Sequence, residues 1–429
     1  MRPSYSEWPL RLEPPRVPLE ELRAAVVQAK KAPAYRDRLP ELGHWDYAAW
    51  KRLPLTTKQD LRQGYPLGFL AEPMHRVASY HESSGTSGEP TATLLSAADW
   101  DDIATRFLRS AVALTAHDVV FIKTPYSLVT TAHQMERAAR LVGATVIPAD
   151  NRSRNMPYAK VVRLLTLLPV TVAWCLPTEA LLWAEAAKAQ GLTPARDFPH
   201  LRVFFVAGEP LSETKRRRIS SLWGGVQVIQ DYGSTETGSL AGECPAGKLH
   251  FWADRVFPEV LDQATGLTRP AGEGTLVVTP LFREAMPLVR YHTEDMVRLS
   301  YSPCRCGWHL PTIQVLGRAS DLASASPSPL ALEEVVYSLP AFFGVQFWRA
   351  RAVSNGLRVE IAANTGVEHP AADELACLIY KHLGVKAEVE AVPLSSFIPA
   401  DVLTGDTGFQ KPRFVYGPGE DWSHSLVYA

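Results

Sequence analysis

A loop rich in glycine and small hydroxyl residues lies between His81 and Pro90, with the sequence HESSGTSGEP. Glycine permits backbone conformations and close approaches that other residues cannot make, so successive N–H groups and hydroxyls can converge on one anion. These residue types indicate a phosphate-binding loop. The loop lacks the Lys-Ser/Thr pair that ends a GxxxxGK[ST] motif, and taken alone its composition also suits a flexible connection.

Four polar side chains further along the chain could complete a nucleotide site. Tyr232 and Glu236, in the segment DYGSTETG, offer an aromatic face for a base and a hard oxygen ligand for Mg²⁺. Asp295, in YHTED, could accept hydrogen bonds from two ribose hydroxyls, and Arg318 follows in LGRASD. Each side chain also has an ordinary structural explanation, as core filler, solvated turn residue, turn cap or surface ion pair.

Composition excludes several classes of protein. The chain has 429 residues, of which 46% are apolar, and its 44 basic and 45 acidic residues give a net charge of −1. That balance provides no global attraction for a polyanion, so nucleic acid is not an expected partner. Because the chain shows neither a secretory signal pattern nor an apolar stretch of membrane-spanning length, we expect a cytoplasmic protein without a membrane partner.

From residue 118 onward, short apolar runs alternate with longer amphipathic ones. This alternation predicts a doubly wound, mostly parallel α/β sheet whose ligands bind at the carboxyl ends of the strands. The predicted strands are 118–123, 144–149, 170–174, 201–208 and 226–230, and the predicted helices are 132–142, 156–168, 178–190 and 212–222. The polar turns at 207–210 and 231–238 then lie at the ligand-binding edge.

Beyond residue 240 the pattern changes to antiparallel strands, as in 273–281 and 295–300. The small, Pro-rich segment ASASPSPLA at 323–331 has the composition of a linker. We therefore predict a large N-terminal domain, residues 1–318, with a parallel sheet and a β-rich subdomain, and a smaller α+β C-terminal domain, residues 319–429. A helix at 18–31 in the Pro-rich N-terminal segment is predicted to cap the large domain.

The five cysteines do not form a disulfide framework, because their number is odd and the chain is long. Cys244, His250, Cys304 and Cys306 provide three thiols and one imidazole, the ligand set of a closed structural Zn²⁺ site. His309 in place of His250, or unrelated free thiols, are the alternatives. Cys175 and Cys377 are predicted to be buried core thiols.

Taken in order, the motifs resemble the adenylate-forming superfamily of acyl-CoA synthetases, adenylation domains and luciferases, and more narrowly its phenylacetate-CoA ligase branch. The resemblance runs through LPLTTKQDLR (53–62), SSGTSGEP, GATVIP (143–148), FVAGEP (205–210), DYGSTETG, YHTEDMVRL and LGRASD. It implies an ATP- and Mg²⁺-dependent ligase that converts a carboxylic acid into an acyl-AMP, releases pyrophosphate and passes the acyl group to an acceptor.

The resemblance also implies roles for individual residues. The loop would hold the β- and γ-phosphates of ATP through Ser83, Ser84, Gly85, Thr86, Ser87 and Gly88. The adenine would be enclosed by Gly208, Glu209, Pro210 and Tyr232, and the ribose bound by Asp295 and Arg318. Thr235 and Glu236 would face the α-phosphate and Mg²⁺, and Lys411, in GFQKPRFVYG, would be the catalytic cation. Some relatives hold zinc at matching cysteine and histidine positions.

Two positions depart from the family pattern. Glu89 replaces a lysine in the phosphate loop, and the segment GRASDLASASPSPLALEE at 317–334 is shorter than in relatives and has no glycine after Gly317. The acceptor therefore stays open among CoA, a carrier-protein thiol and an amine. If the domain rotation of the family is kept, Ser320 and Asp321 are the hinge; a C-terminal domain fixed in one orientation is the alternative.

The aromatic residues Tyr126, Trp174, Phe204 and Phe205 near predicted strand ends suit an aryl or other flat acid, although such residues are as often part of a core. A second hypothesis for the whole chain is a nucleotide-binding homologue that has lost adenylation and serves in regulation or interaction. The sequence leaves a homodimer open.

Overall fold

The computed structural model describes residues 17–41, 43–83, 89–151, 156–319, 327–404 and 415–422. The chain divides into two compact units that interleave along the sequence. The first comprises Met1–His117, Pro125–Thr145 and Ile229–Ala319, and the second comprises Asp118–Thr124, Val146–Val228 and Ser320–Ala429. The boundary between residues 318 and 319 stays a prediction.

The helices of the described residues are α1 (Leu19–Ala29), α2 (Pro33–Arg36), α3 (Tyr47–Lys51), α4 (Lys58–Gln63), α5 (Ala97–Leu108), α6 (Thr131–Leu141), α7 (Tyr158–Leu167), α8 (Pro177–Ala189), α9 (Pro194–Asp197), α10 (Glu213–Leu222), α11 (Pro329–Ser338), α12 (Glu368–Leu383) and α13 (Ala400–Thr404). The strands are β1 (Val77–Glu82), β2 (Ala92–Ser96), β3 (Val119–Lys123), β4 (Thr145–Pro148), β5 (Val172–Cys175), β6 (Val203–Val206), β7 (Gln227–Ser234), β8 (Gly238–Glu243), β9 (Leu249–Phe251), β10 (Val256–Leu261), β11 (Thr268–Arg269), β12 (Gly272–Pro280), β13 (Tyr291–Ser300), β14 (Thr312–Arg318), β15 (Trp348–Val353), β16 (Gly356–Ile361), β17 (Ala387–Ala391) and β18 (Val415–Tyr416).

The first unit is built on strands in the order β11-β10-β12-β13-β14-β9-β8-β7, with a separate antiparallel hairpin of β1 and β2. Alternating burial along β13 shows that one face of this strand packs on the core while the other is partly exposed. The N-terminal helices supply part of that core, since Leu22 and Val26 of α1 and Trp50 of α3 are fully buried. The predicted N-terminal helix is present, and it contributes to the core of this unit.

The second unit contains parallel strands in the order β6-β5-β3-β4. Their apolar sequences leave β3, β5 and β6 buried almost throughout, as expected for strands covered on both faces. β5 pairs in register with β3 and with β6, so that Val172 lies opposite Val120 and Val203. Helix α8 packs against this layer through Trp183, whose ring contacts Phe121 and Phe204.

The C-terminal part of the second unit is a mixed sheet in the order β17-β16-β15-β18, accompanied by helices α11, α12 and α13. β15 and β16 are antiparallel, whereas β16 pairs with β17 and β15 pairs with β18 in parallel. This α+β arrangement, together with the parallel strands and the antiparallel sheet, confirms the predicted α/β fold class.

Two further predictions from the sequence concern the burial of Cys175 and Cys377. Cys175 is fully buried as predicted, but the prediction for Cys377 was wrong, because this thiol lies on the exposed side of α12. The helical pattern of 371–383 places Cys377 two residues after the buried Leu375, which turns it away from the core.

In the described part of the chain, no helix is long and apolar enough to cross a membrane.

Candidate active site

The turn between β7 and β8 presents Thr235 and Glu236 at the predicted ligand edge. Ser234 pairs with Gly238 across the hairpin, which leaves a loop of three residues. Gly238 has a φ of +67°, the left-handed conformation that closes such a loop at little cost when the residue is glycine. A Cβ at Gly233 would lie only 2.2 Å from the carbonyl oxygen of Gly238, so the two strands approach closely here.

The buried Arg283 fixes the backbone of the turn between β7 and β8. Arg283 donates from its two terminal nitrogens to the carbonyl oxygens of Glu236 at 3.4 Å and Thr237 at 2.9 Å. The guanidinium is almost fully buried, so its two bonds satisfy donors that water cannot reach. The backbone of the turn is therefore held in place independently of the Glu236 side chain.

Ser83, the first residue of the predicted phosphate loop, is connected to Glu236 through Thr91. The Thr91 hydroxyl lies 2.8 Å from Oε1 of Glu236 and 3.0 Å from Oγ of Ser83, and the Thr91 amide also donates to Ser83 Oγ at 3.0 Å. Ser83 in turn donates its amide to the Thr91 carbonyl. Ser83 and Thr91 thus join the adjacent ends of β1 and β2, and Thr91 bonds them to the candidate Mg²⁺ ligand Glu236. Ser84, Gly85, Thr86, Ser87 and Gly88 lie outside the described residues.

Asp295 is the centre of the second group of polar residues. The Tyr232 hydroxyl donates to Asp295 Oδ2 at 2.6 Å, and Arg318 Nε lies 3.0 Å from Oδ1. Arg318 also donates to the Thr293 carbonyl at 3.1 Å. The pairing of β13 with β14 explains this arrangement, because Asp295 and Arg318 lie directly opposite each other in the register.

Burial changes the pKa values of Asp295 and Tyr232. Burial raises the pKa of Asp295 above its usual value, while Arg318 and the Tyr232 hydroxyl oppose that rise. Burial and the neighbouring Asp295 carboxylate raise the pKa of Tyr232 well above its usual value, so the phenol stays a hydrogen-bond donor at neutral pH. The carboxylate is thereby held between one cation and one neutral donor.

Several of these residues line one small cleft in the first unit. Its walls are formed by Lys58, Ser234, Glu236, Leu240, Tyr291, Thr293, Asp295 and Arg318. Lys58 begins α4, and its Nζ lies 3.3 Å from the half-exposed Glu294 carboxylate. The cleft therefore brings together two cations, Lys58 and Arg318, and two carboxylates, Glu236 and Asp295.

Gly208, Glu209 and Pro210 follow β6 in the second unit. Gly208 has a φ of +81°, which favours glycine at this position. The Glu209 carboxylate is buried, and its Oε2 accepts from the Thr178 hydroxyl at 2.6 Å and the Thr178 amide at 3.2 Å. The carboxylate is therefore fixed by the protein, and the role of this turn in enclosing an adenine stays a prediction.

Lys411 and the hinge residues Ser320 and Asp321 lie outside the described residues, so their roles stay predictions. The chain resumes at β18, four residues after Lys411, where Val415 pairs with Ala350.

Cys244, His250, Cys304 and Cys306 come together in the first unit, with one ligand atom from each lying within 4.8 Å of the others. Cys306 Sγ is 3.4 Å from His250 Nε2, close to the roughly 3.5 Å that two ligands of one tetrahedral zinc require at bond lengths of about 2.3 and 2.0 Å. His250 Nδ1 lies 2.7 Å from the Leu310 carbonyl, which can only accept a hydrogen bond, so Nε2 keeps its lone pair for a metal. The donor set therefore fits zinc. His309, the alternative ligand, is not part of this cluster of described residues.

The aromatic residues proposed for the acid pocket occupy two different faces of the parallel strands. Phe204 packs against Trp183 and Trp223 and is core filler. Trp174 and Phe205 point to the opposite face and contact each other with ring centroids 4.7 Å apart. Tyr126 belongs to the first unit, where its ring contacts His133.

Sequence reasoning missed three residues of this site. Lys58 lies in the quoted segment LPLTTKQDLR, but the spacing alone gave it no role. Thr91 contacts Glu236, and Arg283 contacts the carbonyl of Thr237. The partners in each contact are distant in the sequence, so only the folded chain shows them.

The fold and the cleft together define the class of this protein. Residues 39–279 match the AMP-binding enzyme family, and the chain belongs to this family of adenylate-forming ligases. It is 32% identical to the phenylacetate-coenzyme A ligase of Thermus thermophilus over 350 residues, which cover 76% of this chain and 77% of that protein. It is 31% identical to the Pseudomonas putida phenylacetate-coenzyme A ligase over 338 residues, 75% of each chain.

Among solved structures, the chain is similar in fold to 2-hydroxyisobutyryl-CoA ligase in complex with 2-HIB-AMP. The TM-score is 0.81 at 23% sequence identity, and the match covers 94% of this chain and 89% of that one. The predicted adenylate-forming superfamily and its phenylacetate-CoA ligase-like branch are thereby confirmed, as is the prediction of an ATP-dependent ligase that forms an acyl-AMP.

Proposed function

We propose that this chain is a carboxylate–CoA ligase that activates an aryl or other flat acid. The observation that carries the proposal is the cleft in which Glu236, Asp295 and Arg318 meet, with Ser83 of the phosphate loop bonded through Thr91 to Glu236. In this proposal Asp295 would bind the sugar, and Glu236 and Ser83 would face the phosphates. The similarity to two phenylacetate-coenzyme A ligases supports an aryl acid and CoA over the other candidates.

In the first half-reaction, a carboxylate oxygen of the acid forms a bond to the α-phosphorus of ATP. The bond from that phosphorus to the bridging oxygen breaks, and pyrophosphate leaves with the electron pair. Both reactants are anions, so the protein contributes mainly by positioning them and by balancing charge. Asp295 would accept hydrogen bonds from the ribose, and Thr235 would donate to the α-phosphate.

The departing phosphates would be bound by the loop at 83–88. Glu236 would hold Mg²⁺, which when bound neutralises phosphate oxygens, and Lys411 would approach the α-phosphate as the catalytic cation. Lys58 offers a further positive charge at the cleft. This charge is relevant because Glu89 stands where relatives carry a lysine in the phosphate loop.

In the second half-reaction, the acceptor thiol would attack the acyl carbonyl, with AMP as the leaving group. A carrier thiol and an amine undergo the same displacement, so the acceptor is decided by what reaches the acyl-AMP. A structural zinc held by Cys244, His250, Cys304 and Cys306 is part of the proposal, supported by the fit of the four ligand atoms.

A direct test incubates the purified chain with ATP, Mg²⁺ and one acid at a time from a panel of aryl, hydroxy and short aliphatic acids. Mass spectrometry reads acyl-AMP first and then the product after CoA, a carrier protein or an amine is added. We expect acyl-AMP from aryl acids and a thioester with CoA. A product only with an amine would overturn CoA as the acceptor.

A further inference from the structure

Tyr291 carries a buried hydroxyl that the packing of the protein does not explain. The residue is only 1% exposed, and its ring belongs to the apolar cluster of the first unit. The hydroxyl has no hydrogen-bond partner among the residues that the structure describes. A buried polar atom without a partner is destabilising, and such atoms are rare in folded proteins. Because a phenylalanine would fill the same space, the oxygen requires another explanation.

Two other tyrosines of the first unit show how the fold satisfies a phenol. The Tyr35 hydroxyl lies 2.9 Å from Oγ1 of Thr56, and the Tyr232 hydroxyl donates to Asp295 Oδ2 at 2.6 Å. Both hydroxyls are thus bonded to side chains of the same unit. Tyr291 differs from them, although it lies in the same part of the fold.

The backbone around Tyr291 is paired on both sides. On one side, Tyr291 lies opposite Val278 of β12. On the other side, the His292 amide donates to the Thr56 carbonyl at 2.8 Å, and the Thr56 amide donates to the Arg290 carbonyl at 3.0 Å. Because the ring is buried and its backbone is paired, the hydroxyl stays where the fold places it.

Tyr291 lines the small cleft together with Glu236, Asp295 and Arg318. Burial raises the pKa of Tyr291 well above its usual value, and the carboxylates of Glu236 and Glu294 raise it further. The phenol is therefore neutral at physiological pH and keeps its proton for donation. Of the charged groups that act on it, Glu236 has the largest effect. The hydroxyl is thus a hydrogen-bond donor in the neighbourhood of the candidate Mg²⁺ ligand.

We propose that the Tyr291 hydroxyl binds the α-phosphate of the nucleotide by donating a hydrogen bond to one of its oxygens. An anionic phosphate oxygen is a strong acceptor. The α-phosphate is the one attached to the ribose, and the predicted ribose ligands Asp295 and Arg318 line the same cleft as Tyr291 and Glu236. The assignment rests on the proposed function for the positions of the ribose and the phosphates. It gives a role to a second residue of the YHTED segment.

Isothermal titration calorimetry with AMP and with adenosine, both without Mg²⁺, tests the assignment independently of catalysis. We expect Tyr291→Phe to weaken AMP binding by about tenfold to a hundredfold, as for the loss of a hydrogen bond to a charged group, and to leave adenosine binding unchanged. Tyr301 follows β13 outside the cleft, so Tyr301→Phe, the matched control, should leave both affinities unchanged. Unchanged AMP binding in Tyr291→Phe, or an equal loss for AMP and adenosine, would overturn the proposal.

The thermal stability of the ligand-free protein gives a second readout. Tyr291→Phe removes a buried oxygen that has no partner in the protein, so its melting temperature should equal or exceed that of wild type. AMP should raise the melting temperature of the variant less than that of wild type. A lower melting temperature in the ligand-free variant would show that the hydroxyl is already bonded, within the protein or to water, and would overturn the proposal. If wild type bound neither AMP nor adenosine, both the proposed function and this assignment would be wrong.

Discussion

At the scale of single residues, Thr91 is the part of the site that the sequence did not indicate. Its buried hydroxyl joins Ser83 to Glu236, so it orients the side chain of the candidate Mg²⁺ ligand. Residue types and spacing indicated Glu236, Asp295 and Arg318, because a charged side chain within a motif suggests a binding role. A threonine gives no such indication in the sequence, because its role depends on which partners the fold brings within 3 Å.

Replacing Thr91 with valine keeps the shape of the side chain but removes the hydroxyl. A hydrogen bond to a charged group contributes about 1.5–3 kcal/mol, so we expect kcat for adenylation to fall by about tenfold to a hundredfold. The Mg²⁺ concentration that gives half-maximal rate should rise as well, because Glu236 loses its orientation. Thr91→Ser, the matched control, should keep both values. An unchanged Mg²⁺ dependence in Thr91→Val would contradict the positioning role.

Lys411 is the second residue whose role can be isolated. If its ammonium stabilises the charge at the α-phosphate, Lys411→Ala should slow ATP–pyrophosphate exchange by about a hundredfold to a thousandfold. Lys381, an exposed lysine at the end of α12, is the control, and Lys381→Ala should leave exchange unchanged. Exchange at the wild-type rate in Lys411→Ala would remove Lys411 from the mechanism.

At the scale of elements, His81 of strand β1 makes the stability of the fold depend on pH. Its ring packs against Trp100 of α5 and His133 of α6, and its Nδ1 lies 3.0 Å from the Leu128 carbonyl. Burial, with a smaller contribution from His133, lowers the pKa of His81 to about 4. The folded chain therefore keeps this imidazole neutral at pH values where the unfolded chain would protonate it.

Because the unfolded state binds the extra proton between pH 6.5 and 4, stability falls as the pH falls through this window. From pH 7 to pH 5 we expect His81 to account for a loss of about 2 kcal/mol in the free energy of unfolding. Urea unfolding followed by tryptophan fluorescence measures the loss in wild type, in His81→Gln and in the exposed-site control His75→Gln. Only His81→Gln should show a smaller loss, and an equal loss in all three would contradict this assignment.

The Cys₃His cluster links three elements of the first unit. Cys244 follows β8, His250 lies in β9, and Cys304 and Cys306 lie between β13 and β14. We predict about one zinc per chain in protein purified without a histidine tag, measured by inductively coupled plasma mass spectrometry. Cys306→Ser should lower that content several-fold, and Cys377→Ser, which changes an exposed thiol outside the cluster, should not. Zinc content near zero in wild type would contradict the site.

The elements themselves were largely predictable from the sequence. The spacing of apolar residues along the sequence predicts secondary structure directly. This spacing indicated the buried strands β3, β5 and β6 and the amphipathic helix α10. The N-terminal helices were harder, because their contribution to the antiparallel core depends on contacts between distant segments. The face of α12 that exposes Cys377 was misjudged for the same reason.

At the scale of the whole molecule, the attachment of the C-terminal segment could not be predicted. The linker composition at 323–331 gave no indication of the partners of the segment that follows, whereas the buried apolar cluster and the Lys215–Glu333 pair join residues of 327–404 to the helices beside the parallel strands. Glu333 and Lys215 are 118 positions apart, and neither belongs to a motif. Only the packing of α11 on α10 brings them together.

The central claim is that the chain adenylates a carboxylic acid, and ATP–pyrophosphate exchange with a panel of acids tests it most directly. Wild type is compared with Glu236→Gln and with the control Glu273→Gln, which alters an exposed ion pair. We expect acid-dependent exchange in wild type and in Glu273→Gln, lowered at least a hundredfold in Glu236→Gln. ATP binding without acid-dependent exchange in wild type would contradict the claim and favour a nucleotide-binding homologue that has lost adenylation.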